Sequence, residues 1–475
     1  MRLIRAVVAT ALSVSAYTAR AQTSTASPTV PAPPPLSRAA LTGTVDSLAA
    51  AFIAEPQAPG VSIAVIRGSR DTLVFKGYGR SDIENDVPAT PATVYRIGSI
   101  TKQFTAAAVM RLVERGTVHL GDPIGKYLGA LPAAWRPVTV QELLNHTSGI
   151  PSYTDLGESW IRRWGESMPP DTLVALTAHK PLDFAPGTNW RYDNSGYVVL
   201  GMLLEQVTGS PYAAYLDSTL FRPLGLTGTR YCYPAPIIPH RSRGYARAGQ
   251  TFTNAIFLNM TQPFSAGALC STVGDLARWN VALATGQVVS PASYRQMTTP
   301  RGAAVSHHYG FGLERDTLGG RVRIAHGGGI NGFITSNAYF PADSLSITVL
   351  ANAAPSDPER LANNIARAVF GLPLVQPPTQ PKAVALPSTV RDAIPGRYVL
   401  QMGQRELSLT VRTDSTGVTA QAEGQGAFPL TYEGNDTFGT AVDPTIHMHF
   451  VIENDHALRI VFTQNGQSFD GRRTP

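Results

Sequence analysis

The spacing of apolar residues predicts helices and strands over most of the chain. Helical spacing over residues 38–54 predicts an amphipathic helix. The runs 61–66 and 72–78 are typical of strands, and the segment 68–71 between them predicts a hairpin turn. A further helix is expected to begin just after Ser99 and to end at Gly116.

Strand patterns return near residue 320, after a helical and loop-rich stretch from about 120 to 300. The runs 322–325, 333–340 and 345–350 predict strands, and 357–370 predicts a helix. Strands at both ends of a helical middle predict an α+β fold, in which one antiparallel sheet is flanked by helices. We expect this domain to cover residues 38–372.

The pattern changes after residue 372. Residues 373–387 are rich in proline and predict a linker. From 388 to 475 apolar and polar residues alternate with a period of two, with one face of each strand buried. This alternation predicts a small C-terminal all-β domain.

The first 21 residues are typical of a secretory signal peptide. Arg2 and Arg5 precede a short apolar stretch, and Ala19-Arg20-Ala21 matches a cleavage site. The apolar stretch is too short to span a bilayer. We therefore expect an exported protein, periplasmic or extracellular, with no transmembrane segment in the mature chain and a flexible tether over residues 22–37.

Charge and cysteine content narrow the function classes. The net charge is +6, and half of it comes from Arg2, Arg5 and Arg20 in the predicted signal. The other arginines are dispersed, so no basic stripe predicts a nucleic-acid partner. The two cysteines, Cys232 and Cys270, are interpreted either as a disulfide or as two buried free thiols. No zinc helix or phosphate loop occurs, so neither a metal nor an organic cofactor is implied.

Ser99-Ile100-Thr101-Lys102 is the only Ser-x-x-Lys in the chain. On a helix, residues three apart lie on the same face, which brings the Lys102 amine near the Ser99 hydroxyl. A serine hydroxyl becomes a useful nucleophile when a neighbouring base takes its proton. The motif therefore predicts a nucleophilic serine with an amine base.

Two further motifs follow along the chain. The first is Tyr192-Asp193-Asn194, and the second is His326-Gly327-Gly328-Gly329, placed near strand patterns. A tyrosine can act as a base if a nearby cation lowers its pKa, and Lys102 is such a cation. We therefore expect Lys102 and Tyr192 to share the proton of Ser99 as one coupled unit.

The order and spacing of these motifs resemble those of the serine β-lactamase and penicillin-binding-protein superfamily, in particular its class C-like branch. That branch includes D-alanyl-D-alanine carboxypeptidases, esterases and D-aminopeptidases. The segment 143–150, Leu-Leu-Asn-His-Thr-Ser-Gly-Ile, also fits. The resemblance covers about residues 40–370. It implies a serine hydrolase that forms an acyl-enzyme on Ser99.

The resemblance also implies substrate-binding residues. Asn194, His326, Gly328 and Gly329 are expected to contact substrate, with the Ser99 and Gly329 N–H groups forming the oxyanion hole. His326 stands where β-lactamases usually have lysine, which favours a small ester, an amide or a D-amino-acid peptide, cell-wall peptides included. A class C-like β-lactamase is the first alternative, and a non-catalytic sensing or binding module is the second.

Overall fold

The computed structural model of the 475-residue chain describes residues 36–376, 384–402, 405–414, 417–422, 427–440, 445–464 and 467–474. The predicted signal peptide, nearly all of the predicted tether and residues 377–383 of the predicted linker lie outside this described part, so they stay predictions. The described residues form two compact units, one up to Leu374 and one from Val375.

Helices surround the sheet of the first unit, and one short helix precedes the strands of the second. In chain order they are α1 Arg38–Ala54, α2 Thr101–Glu114, α3 Val140–Leu144, α4 Glu158–Ile161, α5 Pro170–Ala175, α6 Asn194–Thr208, α7 Tyr212–Leu216, α8 Arg222–Leu224, α9 Phe264–Gly267, α10 Val273–Ala284, α11 Pro291–Met297, α12 Pro358–Val369 and α13 Ser388–Ala393.

The strands of the first unit form a seven-stranded sheet and two three-stranded ones. They are β1 Gly60–Arg67, β2 Asp71–Asp82, β3 Val87–Pro88, β4 Tyr95–Arg96, β5 Arg230–Tyr231, β6 Tyr245–Ala248, β7 Thr251–Asn254, β8 Leu269–Ser271, β9 Glu314–Leu318, β10 Arg321–Ile330, β11 Phe333–Phe340, β12 Leu345–Ala351 and β13 Ala353–Ala354. The small sheets have the orders β4-β8-β5 and β13-β6-β7.

The large sheet joins the two ends of the unit, as the sequence predicts. Its order is β3-β2-β1-β12-β11-β10-β9, and β1 pairs antiparallel with β12, so that Val61 lies opposite Ala351. Helices α1 and α12 pack together on one face, while α10 packs on β1, β11 and β12. β12 is buried along its whole length, because both faces are covered. The predicted α+β fold is confirmed.

Helix α1 shows how local sequence produces these elements. The Ser37 hydroxyl accepts a hydrogen bond from the Ala40 N–H at 3.2 Å, which caps the first turn. Three or four residues separate its buried side chains, which form one stripe against the sheet. These side chains are Leu41, Val45, Ala49 and Phe52.

The second unit is a closed eight-stranded barrel. Its strands are β14 Gly396–Met402, β15 Arg405–Asp414, β16 Gly417–Ala422, β17 Phe428–Gly434, β18 Thr437–Gly439, β19 His447–Glu453, β20 His456–Gln464 and β21 Gln467–Thr474. β14 pairs with both β15 and β21, which closes the barrel. Tyr398, Phe438 and Phe450 pack in its interior. The predicted all-β domain is confirmed, and its closure is a new finding.

One expectation needs correction, and the structure agrees with one of the two interpretations of the cysteines. The apolar pattern predicts a strand that ends near residue 325, but β10 continues to Ile330, so the glycine motif belongs to a strand that pairs with β11. Cys232 and Cys270 are free, buried thiols rather than a disulfide. Cys270 lies opposite Arg230, and the Cys232 N–H donates to the Ala268 carbonyl, so the cysteines occupy diagonal positions across the strand pair.

Within the described residues, no helix combines the length and the apolar character that crossing a membrane requires.

Candidate active site

Ser99 lies in a single 3-10 turn, Gly98–Ile100, that joins β4 to α2. Gly98 has φ +52°, and a Cβ there would lie 2.9 Å from both the N and the O of Gly329. Only glycine accepts both that backbone conformation and that approach. The turn therefore places Ser99 beside the strand that carries the glycine motif.

Lys102 is fully buried in the first turn of α2, and three oxygen atoms surround its amine. Nζ lies 3.2 Å from Ser99 Oγ, 2.8 Å from Asn194 Oδ1 and 2.9 Å from the Ala266 carbonyl oxygen. The last two oxygens can only accept hydrogen bonds, whereas a hydroxyl can also donate. A neutral amine has two N–H groups, which can be donated to Asn194 and Ala266, and one lone pair, which can accept from the Ser99 hydroxyl.

The electrostatics of the site favour a neutral Lys102. Burial lowers the pKa of the Lys102 amine well below its ordinary value, and the Asp193 carboxylate acts in the opposite direction. A neutral amine can accept a proton, which is what a base for Ser99 requires.

Asn194 is the first residue of helix α6, and hydrogen bonds fix both its backbone and its side chain. Its N–H donates to Ser152 Oγ at 3.1 Å, and its Nδ2 donates to Thr154 Oγ1 at 3.0 Å. These contacts direct Oδ1 toward Lys102. Asn194 thus holds the Lys102 amine through Oδ1, while Thr154 already accepts one of its two amide protons.

Tyr192 contributes a hydroxyl that faces the nucleophile. The hydroxyl is buried and has no hydrogen-bond partner within the described part of the chain. Burial raises the pKa of Tyr192, whereas the neighbouring Ser99 acts to lower it. The Lys102 amine lies 4.6 Å from the centre of the Tyr192 ring. These observations separate the two residues of the expected coupled unit, because Lys102 tends to lose its proton and Tyr192 tends to keep it.

His326 lies on β10, and its imidazole is neutral. Nδ1 donates to the Gly327 carbonyl at 2.5 Å, so Nε2 is the acceptor for the Tyr309 hydroxyl at 2.9 Å. Burial, together with nearby Lys102, lowers the pKa of His326 to about 3. The sequence suggests an ordinary value near 6.5, so the structure makes His326 neutral over a wider range of pH.

The glycines of the motif occupy different environments on β10. Gly328 is buried, and a Cβ there would lie 2.0 Å from the Ile97 carbonyl oxygen. Gly329 is exposed and lies beside Gly98. Close backbone packing therefore accounts for Gly328, whereas Gly327 and Gly329 are exposed, and Gly329 is the one that lies beside Gly98.

Three residues around the site are not predicted as participants by the sequence. Ala266 binds Lys102 through its carbonyl group, and Tyr309 binds His326. His146, in the segment 143–150, packs its ring 4.4 Å from the ring of Tyr192 and accepts the Asp193 N–H through Nδ1. No local pattern around these three residues assigns them partners so distant in sequence.

No group of three or more His, Cys, Asp or Glu side chains in the described ranges has the arrangement of a metal site.

Comparison with known proteins identifies the family. The family model described as Beta-lactamase matches residues 45–372, more than half of the chain. The chain belongs to the beta-lactamase family. Penicillin-binding protein 4* of Bacillus subtilis (strain 168) is 24% identical over 432 residues, which cover 85% of this chain and 93% of that protein.

Solved structures of related proteins have the same fold. The octameric penicillin-binding protein homologue from Pyrococcus abyssi is similar with a TM-score of 0.63 and 25% identity, over 90% of this chain and 99% of that one. A D-stereospecific amidohydrolase from a Streptomyces species is similar with a TM-score of 0.60 and 28% identity, over 69% of this chain and 98% of that one. The predicted membership and the prediction of a serine hydrolase of this superfamily are confirmed.

Proposed function

We propose that this member of the beta-lactamase family hydrolyses esters or amides that carry no carboxylate, D-amino-acid amides among them, through an acyl-enzyme on Ser99. The observation that carries the proposal is the environment of Lys102. Its amine is buried and lies within hydrogen-bond distance of Asn194 Oδ1, of the Ala266 carbonyl oxygen and, at 3.2 Å, of Ser99 Oγ. In its neutral form the amine donates to the first two oxygens and keeps a lone pair for the Ser99 hydroxyl.

In the acylation step, Ser99 Oγ forms a bond to the carbonyl carbon of the substrate. The proton of Ser99 passes to Lys102 Nζ, and the electron pair of the carbonyl double bond moves to its oxygen. The N–H groups of Ser99 and Gly329 stabilise this oxyanion, since Gly98 permits the close approach of the two segments.

Collapse of the oxyanion breaks the bond to the leaving group, which needs a proton. The Tyr192 hydroxyl supplies it, because burial keeps it protonated and Ser99 is its neighbour. Lys102 then returns the proton of Ser99 to Tyr192. In deacylation a water molecule attacks the ester, the same groups carry its proton, and Ser99 regains its hydrogen.

The neutral His326 supports a substrate without a carboxylate. A β-lactam or a peptide with a free C-terminal carboxylate is held best by a cation, and an imidazole with a pKa of about 3 is not one at neutral pH. The similarity to a D-stereospecific amidohydrolase supports amides with D-amino-acid residues.

Cell-wall peptides are the second candidate. The similarity to a penicillin-binding protein over most of both chains favours them. If such peptides are the substrate, we expect a form without a free carboxylate near His326 to react faster.

We also propose that the protein is exported, from the signal-like pattern of residues 1–21. Expression of the full chain, fractionation of the cells and N-terminal sequencing test this. A mature protein that begins near Gln22 outside the cytoplasm supports export, whereas an intact N-terminus in the cytoplasm contradicts it.

A matched set of substrates tests the proposed reaction. We expect turnover of p-nitrophenyl esters and D-amino-acid amides, with slower reaction of D-Ala-D-Ala peptides and of a chromogenic cephalosporin. A fluorophosphonate should label Ser99, as located by mass spectrometry, and Ser99→Ala should lose both label and turnover. The control is Ser195→Ala, because the Ser195 hydroxyl is occupied by the Pro151 carbonyl at 2.9 Å and by the Tyr153 N–H.

Two results would contradict the proposal. An adduct on a residue other than Ser99 would remove the assigned nucleophile. Faster hydrolysis of the cephalosporin than of every ester and amide in the set would favour the β-lactamase alternative.

A further inference from the structure

Two hydroxyl groups, those of Ser152 and Thr154, hold Asn194 beside the Lys102 amine. Ser152 Oγ accepts the Asn194 N–H at 3.1 Å, and Thr154 Oγ1 accepts from Asn194 Nδ2 at 3.0 Å. The two hydroxyl oxygens lie 2.8 Å apart, so one hydroxyl donates to the other. Asn194 Oδ1 in turn accepts from the Lys102 amine at 2.8 Å. The hydroxyl pair is therefore a part of the site.

The burial of the two side chains decides which hydroxyl donates. Each hydroxyl has one proton, and the bond between them uses one of the two. In the described part of the chain, neither hydroxyl makes a hydrogen bond beyond these three. Ser152 is only 4% exposed, so a Ser152 proton without an acceptor would be buried and costly. Ser152 therefore donates to Thr154, and the Thr154 proton is the free one.

Two free donors then lie side by side. One is the Thr154 hydroxyl, and the other is the second N–H of Asn194 Nδ2, which Thr154 does not accept. Both side chains are half-buried, so a bound molecule can reach them. A neutral carbonyl oxygen has two lone pairs and suits this pair of neutral donors.

This oxygen is not the one at which Ser99 reacts. The Lys102 amine lies between the nucleophile and Asn194, with contacts of 3.2 Å to Ser99 Oγ and 2.8 Å to Asn194 Oδ1. In the proposed reaction the scissile carbonyl oxygen is bound by the N–H groups of Ser99 and Gly329. The two free donors therefore suit a second carbonyl group of the substrate.

We propose that Thr154 is a substrate-binding residue, whose hydroxyl donates to a carbonyl oxygen of the substrate other than the one at the scissile bond. Asn194 donates its second amide proton to the same oxygen. The inference rests on the proposed function, because it concerns the substrate of the Ser99 acyl-enzyme. It narrows that substrate to esters and amides with a second carbonyl group, such as N-acylated amino-acid amides.

A pair of esters isolates the second carbonyl group. The p-nitrophenyl esters of levulinic acid and of pentanoic acid have the same leaving group and the same chain length, and they differ by one carbonyl oxygen. Wild type should have the higher kcat/KM for the levulinate. Thr154→Val keeps the shape of the side chain without the hydroxyl, so the ratio of the two kcat/KM values should fall about three- to tenfold.

Thr154→Ser keeps the hydroxyl and should retain the wild-type ratio, whereas Thr154→Ala removes it and replaces Thr154→Val should that variant fail to fold. Thr208→Val is the control for the exchange of Thr for Val. Thr208 ends helix α6, about 20 Å along its axis from Asn194. This control should leave both kcat/KM values unchanged.

Two results would overturn the inference. An equal fall of kcat/KM for both esters in Thr154→Val would show that Thr154 acts only by holding Asn194. Unchanged values for both esters would show that the hydroxyl does not contact substrate. Failure of the proposed function differs from both, because wild type would then hydrolyse neither ester, or Ser99→Ala would hydrolyse both as fast as wild type, and the inference would fall with it.

Discussion

The imidazole of His326 accepts a hydrogen bond of 2.9 Å from the hydroxyl of Tyr309, and both side chains are buried. The other ring nitrogen donates to the Gly327 carbonyl, so both nitrogens are satisfied in the neutral tautomer. A proton added at Nε2 would replace this acceptor by a donor, in a buried place already near Lys102. The site is therefore built around a neutral His326.

The first prediction concerns stability at low pH. The folded pKa of His326, about 3, lies below its unfolded value near 6.5, so between these values the unfolded state binds more protons. The stabilisation is fully present above pH 6.5 and is lost as the pH falls toward 3. His326→Gln keeps an acceptor for Tyr309. In this variant the free energy of unfolding should fall less steeply with decreasing pH, by up to about 1.4 kcal/mol per pH unit.

Urea unfolding of both proteins from pH 7.5 to pH 4 measures this effect as a difference between the two free energies of unfolding. The exposed His119→Gln is the matched control for the substitution itself. Parallel pH dependences of His326→Gln and wild type would show that His326 takes up a proton in the folded protein.

The second prediction concerns the approach of Gly98 to Gly329. In Gly98→Ala the new Cβ would lie 2.9 Å from backbone atoms of Gly329, so the two segments must separate. Loss of one oxyanion contact should lower kcat for an ester by about 10²–10³-fold. Gly116→Ala is the control, because Gly116 has a similar φ of +69° and a Cβ added there would meet no atom within 4 Å.

Gly116→Ala should cost about 1–2 kcal/mol of stability and leave kcat unchanged. Steady-state kinetics and urea unfolding of both variants distinguish the cost of a positive φ, which both share, from the displacement of Gly329, which only Gly98→Ala causes. Equal kcat values in the two variants would remove the contact between Gly98 and Gly329 from the proposed oxyanion site.

The third prediction concerns the proton path from Ser99. Lys102→Ala and Tyr192→Phe should each lower kcat strongly, because one removes the acceptor of the proton and the other the donor to the leaving group. The double variant should be little worse than the worse single one, because Lys102 returns to Tyr192 the proton that Tyr192 gives to the leaving group, so each single variant already interrupts the same relay. Losses in kcat that multiply would show that Lys102 and Tyr192 act in independent steps.

Elements with side-chain periodicity could be predicted from the sequence, and elements without it could not. Helix α1 has its predicted limits because Leu41, Val45, Ala49 and Phe52 repeat at helical spacing. Strand β10 exceeds its predicted length because Gly327, Gly328 and Gly329 have no side chains to alternate. Their strand character comes from backbone pairing with β11.

The site divides in the same way. The proximity of Ser99 and Lys102 follows from one helical turn, so the local sequence contains it. The Ala266 carbonyl is 164 residues from Lys102, and the aromatic neighbours of Tyr192 come from three separate segments. Burial by such distant segments determines which of Lys102 and Tyr192 holds the proton, and no local pattern records it.

The last prediction concerns the barrel unit from Val375 onward. Every residue assigned to the site lies in the unit that ends at Leu374, and each unit has its own hydrophobic core. A chain that ends at Leu374 should therefore fold and hydrolyse a small ester with the kcat of the full protein. The full chain should unfold in two calorimetric transitions and the shortened chain in one.

Ser99→Ala in the shortened chain is the control for background hydrolysis. A shortened chain with a native circular dichroism spectrum but no turnover would show that the barrel shapes the site, and a single transition in the full chain would show that the units unfold together.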